Sequence, residues 1–210
     1  MYQYNISFHD AMHTAKPTGA EIGNISNHLA ETQMNYRELA HAVGKAGCSF
    51  CPAVYHGKRK AENFKSQQLI GLDFDNGVPF HIIQQKAEHY HLKILFAYRT
   101  FSDTAEHEKF RIVFALQHKI TDSFTARSVV NIFMKIFENC DEACKDSARL
   151  FFGGKGLRTL QMSRTKFHRE RSSLPSPHIW LTNTTTNTIP ENCKNSTLPI
   201  IFALKRITPL

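Results

Sequence analysis

The sequence predicts an α+β fold in which residues 69 to 153 run in the order β-α-β-β-α-β, preceded by helices. Three observations predict it. An apolar run around Leu69, Ile70, Leu72 and Phe74 has the length and composition of a buried strand. Phe110, Ile112, Phe114 and Leu116 alternate with Lys109 and Arg111, which is the period of a second strand with opposite faces. Two stretches carry apolar residues at helical spacing: Phe80, Ile83, Ala87 and Tyr90, and then Val129, Ile132, Phe133, Ile136 and Phe137. A short strand at residues 148 to 152 would close the unit, which is the ferredoxin-like arrangement with both helices on one sheet face.

Each element has a local cause. Lys16-Pro17-Thr18-Gly19 is a turn, and the spacing of Ile22, Ile25 and Leu29 predicts a first helix. Asn35 with Glu38 three residues later is a capping box, so a second helix follows through Leu39, Ala42 and Val43 and stops by Gly47. Residues 48 to 55 read as strand, and His56-Gly57-Lys58-Arg59-Lys60 as a basic loop. Helix at 78 to 90 leads to strand at 93 to 101, a polar loop at 102 to 108, and the strand from Lys109. Asp122 or Ser123 caps the helix at 124 to 138. Beyond residue 157 the chain stays basic, with a last strand expected at His178-Ile179-Trp180-Leu181. One domain over residues 1 to 182 and a polar tail over 183 to 210 is the expected organisation.

With 41% hydrophobic residues and 16 Phe, the chain has material for one good core. Its net charge of +8 favours an anionic partner, nucleic acid foremost. No signal peptide or membrane-length apolar run is read, and five cysteines suit reduced thiols, so a cytoplasmic protein without membrane contact is expected. Cys48 and Cys51, with Cys140 and Cys144, would make a zinc site only if the two pairs met in space.

The chemistry concentrates at Asp73 and Asp75. In a strand, residues two apart share a face, so these carboxylates project together and repel. A hard divalent cation relieves that repulsion, and such cations are held by carboxylates together with substrate phosphates. In the expected topology the pair lies beside Lys109, Arg111 and Arg149.

Leu72-Asp73-Phe74-Asp75, then Lys109-Phe110-Arg111-Ile112-Val113-Phe114, then Asp141 with Arg149 and Gly153-Gly154, resemble the archaeo-eukaryotic primase superfamily. Within it, primase-polymerase-like replication proteins of plasmids, phages and integrated elements are most similar, over residues 20 to 160. The resemblance implies an RRM-like catalytic core and template-directed nucleotidyl transfer with Mg²⁺ or Mn²⁺. It assigns Asp73, Asp75 and Asp141 as catalytic metal ligands, with Asp146 in reserve for the third acid. Lys109, Arg111, Arg149, Ser102 and His107 would bind the nucleotide, although Ser102 and His107 depart from the family's small-residue, any-residue, histidine spacing. Single-stranded DNA template, nucleoside triphosphates and a separate helicase are the implied partners. Lys58, Arg59, Lys60 and the arginines after residue 157 are the expected template contacts. Two rivals remain: a nucleic-acid-binding replication module without turnover, and a haloacid-dehalogenase-type phosphohydrolase, whose pattern Asn76 interrupts.

Overall fold

The computed structural model describes residues 1 to 160. The strand expected at residues 178 to 181, the tail at 183 to 210 and the arginines at 164, 169 and 171 lie outside the described residues. Among the described residues the protein is mixed α+β, with four α-helices and two antiparallel sheets.

The first sheet has the order β2-β1-β3, from β1 (Gln3–His9), β2 (Ala30–Asn35) and β3 (Ser49–Cys51). Helix α1 (Gly19–Asn27) opens on a Thr18–Glu21 capping box. Helix α2 (Tyr36–Gly44) opens on the Asn35–Glu38 box read from the sequence: the Asn35 side chain accepts from the Arg37 and Glu38 amides, and Glu38 accepts from the Asn35 amide at 3.0 Å. Strand β1 escaped the sequence reading although Tyr4, Ile6 and Phe8 alternate with Asn5, Ser7 and His9 at strand period, and β2 escaped it because it is short and polar.

The second sheet has the order β4-β5-β7-β6-β8, from β4 (Ala53–Tyr55), β5 (Phe64–Phe74), β6 (Ile94–Thr100), β7 (Phe110–Ile120) and β8 (Gly154–Leu160). Helices α3 (Phe80–His89) and α4 (Ser123–Ile136) separate its strands where the periodicity placed them. The Asp122 carboxylate caps α4 by accepting from the Thr125 amide at 2.6 Å. Register pairs Phe74 with Phe110, Leu72 with Ile112 and Ile70 with Phe114. Phe114 meets Phe133 and Phe137, and Phe110 meets Phe80, so this face packs on α3 and α4.

Two expectations are corrected. Residues 148 to 152 do not form a strand beside β5; Phe151 makes only an isolated bridge to Phe50, and the last strand, β8, lies beside β6. The place next to β5 is taken by β4, which follows β3 after a single proline, Pro52, and so carries the chain from the first sheet into the second. The sheet face opposite α3 and α4 is not open either. Gly71, on that face, lies under the Phe151 ring, whose atoms would come within 2.8 Å of a Cβ there. Helix α2 covers Tyr98 and β8, with Gly44 against Tyr98 and Leu157. Residues Ser66 to Phe74 are therefore buried on both sides, which explains their near-continuous apolar run.

Candidate active site

What stays open is one end of the second sheet, where a cleft of about 260 Å³ is lined by Asp73, Asp75, Asp141, Lys109, Arg111 and Arg149. Asp73, the penultimate residue of β5, is 5% exposed, and register sets it opposite Arg111 on β7. Asp75 lies just past the strand end. Asp141 is distant in sequence but fixed by main chain: its amide donates to the Asp73 carbonyl at 2.8 Å. Its side chain also caps a short 3-10 helix, Glu142–Lys145, by accepting from the Ala143 amide. The loop then tightens, with the Ala148 amide on the Asp146 carboxylate and the Arg149 amide on the Asp146 carbonyl. That compact return is why an arginine eight residues after Asp141 comes back to it.

The guanidinium of Arg149 bridges the acids: Nη2 is 3.0 Å from Asp73 Oδ2 and 2.6 Å from Asp141 Oδ2. Arg111 Nε lies 3.1 Å from the same Asp73 oxygen, and its Nη1 donates to the Phe152 carbonyl. Aromatic rings back both cations: Tyr98 and Phe151 lie under Arg111, and Phe151 under Arg149. Burial pulls the Arg111 guanidinium down, but Asp73 and Tyr98 together outweigh it and hold the group above its ordinary value. Arg149 is held above its ordinary value in the same way: burial lowers it, and Cys144, Asp73 and Asp141 outweigh the burial. Burial pushes the Tyr98 hydroxyl up to about 12, so at neutral pH it stays a donor, and it donates to the Phe152 carbonyl at 3.0 Å.

One oxygen is left over. Asp73 Oδ1 is buried and has no hydrogen-bond partner, and Thr100 Oγ1, in the wall of the same cleft, is likewise buried and unpartnered. An orphaned carboxylate oxygen in a desolvated site is costly unless something comes to it. The donor set of Asp73, Asp75 and Asp141 is all hard oxygen, the chemistry Mg²⁺ or Mn²⁺ takes. As they stand, no three His, Cys, Asp or Glu among the described residues converge as a metal-holding group, and Arg149 sits between Asp73 and Asp141. The residues present match a divalent cation in the kind of their donor atoms and in the orphaned Asp73 oxygen, while Arg149 occupies the place between Asp73 and Asp141.

Of the other residues singled out, Ser102 lines the cleft. His107 does not line it, but its Nε2 lies 2.9 Å from the Asp75 carbonyl and its ring packs on Gly77, whose φ of +82° makes the turn. Asp146 does not line the cleft; its carboxylate accepts from the Ala148 amide and acts on Cys51 and Tyr55, so Asp141 is the third acid of the cleft. The cysteines serve separate contacts: Cys48 donates to the Asp10 carbonyl, Cys51 to the Ser147 carbonyl, and Cys144 accepts from the Asp73 amide. Burial pushes the Cys144 thiol up to about 12 and the Cys51 thiol to about 11, and among the described residues the two cysteine pairs do not come together as a metal-holding group. Arg59, one of the expected template contacts, donates to the Ala148 carbonyl and Ser26 hydroxyl and so ties the return loop to α1.

Sequence reasoning missed Lys16, Thr100 and Phe152 in the cleft wall, and Asp103 behind it. Asp103, 1% exposed, accepts from Arg99 Nε at 2.7 Å, Arg158 Nη2 at 3.3 Å and the Lys109 amide at 2.7 Å, while its carbonyl accepts from Lys155. Burial acts to raise this carboxyl, but the Lys109 amide, Arg99 and Arg158 prevail and hold it below the usual carboxylate range. It locks the loop between β6 and β7, which carries Ser102, His107 and Lys109. The only signal in the sequence was an aspartate inside a polar loop, which reads as a turn residue.

Compared with known proteins, the chain matches no family model, no curated protein and no solved structure. The functional reading therefore rests on the residues of the cleft.

Proposed function

We propose that the protein is a metal-dependent nucleotidyltransferase of the primase-polymerase type, extending a strand on a single-stranded DNA template from nucleoside triphosphates. The observation that carries this reading is the meeting of Asp73, Asp75 and Asp141 with Lys109, Arg111 and Arg149 in one cleft, from four separate segments of chain. The three adjacent strands β5, β7 and β6, with α3 and α4 on one side, support an RRM-like core for the same reason. Bound at the carboxylates, Mg²⁺ or Mn²⁺ would supply Lewis-acid activation of a primer hydroxyl and neutralise the departing pyrophosphate.

The chain's own residues do the rest. Arg111, sandwiched by rings and held by Asp73, offers a preorganised positive charge where phosphoryl charge gathers. Arg149, on Asp73 and Asp141 at the same cleft, would add a second guanidinium for the triphosphate. Lys109 adds an ammonium with no ion-pair partner among the described residues. At about 260 Å³, the cleft has room for a phosphate chain, and Phe101 and Phe152 in its lining offer rings to a base. Among the described residues no helix is long and apolar enough to cross a membrane. A separate helicase and a cytoplasmic setting belong to the same proposal.

A second reading has an observation in its favour. Because Arg149 already neutralises Asp73 and Asp141 without a metal, a replication module that binds nucleic acid without turnover would hold this same geometry. The phosphohydrolase reading is disfavoured, since Asp73 is buried and gripped by two arginines, a poor setting for a nucleophile. Primer extension on a single-stranded template with Mn²⁺ or Mg²⁺ decides. The polymerase reading requires extension that disappears in Asp73→Ala and Asp75→Ala. Tight DNA binding without extension would leave the module, and phosphate release from small esters would leave the hydrolase.

A further inference from the structure

One more cation lines the cleft: Lys16, from the segment between β1 and α1. That segment has no regular structure, yet it is pinned at several points. Gly47, at φ +80°, lies so near it that a Cβ would stand 1.9 Å from the His13 carbonyl oxygen. Gly153, itself in the cleft wall, lies so near Gly47 that its Cβ would stand 2.2 Å from the Gly47 carbonyl carbon. Three main-chain segments are thus stacked with no side chain between them, and glycine is what allows it. Cys48 holds the near end through the Asp10 carbonyl at 3.3 Å, Pro17 is buried, and the Thr18–Glu21 capping box fixes the far end. The lysine is exposed, but the backbone that aims it is not free to wander.

Charge then decides what Lys16 is for. The carboxylates of Asp73 and Asp141 are already met by Arg111 and Arg149. Lys16 and Lys109 are the lysines of the cleft, and neither has an ion-pair partner among the described residues; with Asp75 as the third acid, four cations face three carboxylates and the cleft carries one net positive charge. In the same wall, Thr100 is 7% exposed with an unpartnered hydroxyl, a donor that also awaits an acceptor. Two ammonium groups and an idle hydroxyl around one cleft match a chain of phosphates better than a single carboxylate.

We propose that Lys16 binds the phosphate chain of the incoming nucleoside triphosphate across the cleft, with Lys109. This rests on the nucleotide reading above and adds a contact from outside the segments that suggested it. The test is titration of the full chain, with Mn²⁺ present, by dATP, inorganic tripolyphosphate and dAMP. For Lys16→Ala the expected result is about tenfold weaker binding of dATP and tripolyphosphate, a much smaller loss for dAMP, and substantial recovery in Lys16→Arg. Lys119→Ala, at the opposite end of β7, should change none of them. In primer extension Lys16→Ala should raise KM for the nucleotide with kcat nearly kept.

If Lys16→Ala binds dATP like the wild type while Asp73→Ala stops extension, Lys16 is not a phosphate ligand and the nucleotide reading survives. If it weakens DNA binding alone, Lys16 holds the polynucleotide and the proposal is overturned. If the wild type binds neither dATP nor tripolyphosphate, both proposals fall.

Discussion

Asp73 and Asp103 are both buried aspartates that face two arginines each, but they are satisfied to different degrees. Asp103 uses both carboxylate oxygens, on Arg99, Arg158 and the Lys109 amide. Asp73 spends Oδ2 on Arg111 and Arg149 and leaves Oδ1 with nothing. A buried charge is tolerated when its lone pairs are filled, so the filled site reads as a clamp and the half-filled one as a place kept for a ligand. The clamp also serves the other: it holds the loop that brings Ser102 and Lys109 to the cleft.

Exchanging each aspartate for asparagine breaks the comparison most directly. Asp73→Asn should cut metal-dependent extension at least about a hundredfold, since a developing charge loses its preorganised partners. Its effect on stability should be the smaller of the two, because Arg149 keeps Asp141 and Arg111 keeps the Phe152 carbonyl and two ring faces. Asp103→Asn should lower unfolding free energy by about 1 to 3 kcal/mol in a urea titration, because Arg99 and Arg158 lose a buried carboxylate partner while the half-exposed Arg99 can turn to water. Equal losses of stability in the two variants would show that satisfaction does not separate them.

Arg149 sharpens the contrast next. In Arg149→Ala, Asp73 and Asp141 lose the cation between them, so millimolar Mn²⁺ should raise the melting temperature by a few degrees more than in the wild type, as expected for a ligand bound only by the folded state. The same shift in both proteins would mean that Arg149 does not stand in a metal's place.

The smallest effect is in acid. The Asp103 carboxyl is held below its unfolded value near 4, so the folded state binds fewer protons in that range and stability rises with pH there. Its contribution is complete above about pH 4 and is lost as pH falls through the lower folded value. The stability gap between wild type and Asp103→Asn should therefore be steady from pH 7 to 5 and narrow below 4. A gap that narrows instead between pH 7 and 5 would contradict this assignment.

Much of the second sheet was legible because its signals are local. Alternation at residues 110 to 116, helical spacing in α3 and α4, and the Asn35–Glu38 and Asp122 caps each depend on neighbours within a turn or two. Strand β2 was not, since an exposed strand of Ala, Glu, Thr, Gln, Met and Asn has no apolar alternation. The fourth strand was misplaced for a related reason. Leu150, Phe151 and Phe152 are apolar because Phe151 roofs Gly71 and meets Phe50, and a roof and a strand leave the same composition.

The sequence by itself determined which side chains carry charge where apolar residues were expected: Asp73 and Asp75 closing a buried strand, Lys109 and Arg111 opening another, and Asp141 ahead of Arg149. Those follow from composition at fixed spacing. Only the tertiary structure decided that Asp141 and not Asp146 joins them, that Arg59 is a tie, and that Lys16 and Asp103 belong to the site. These depend on contacts between distant segments: the Asp141 amide on the Asp73 carbonyl, the Arg59 side chain on the Ala148 carbonyl, and the Gly47 main chain against His13. Such approaches are set by how sheets and loops pack, and residue order does not encode them locally.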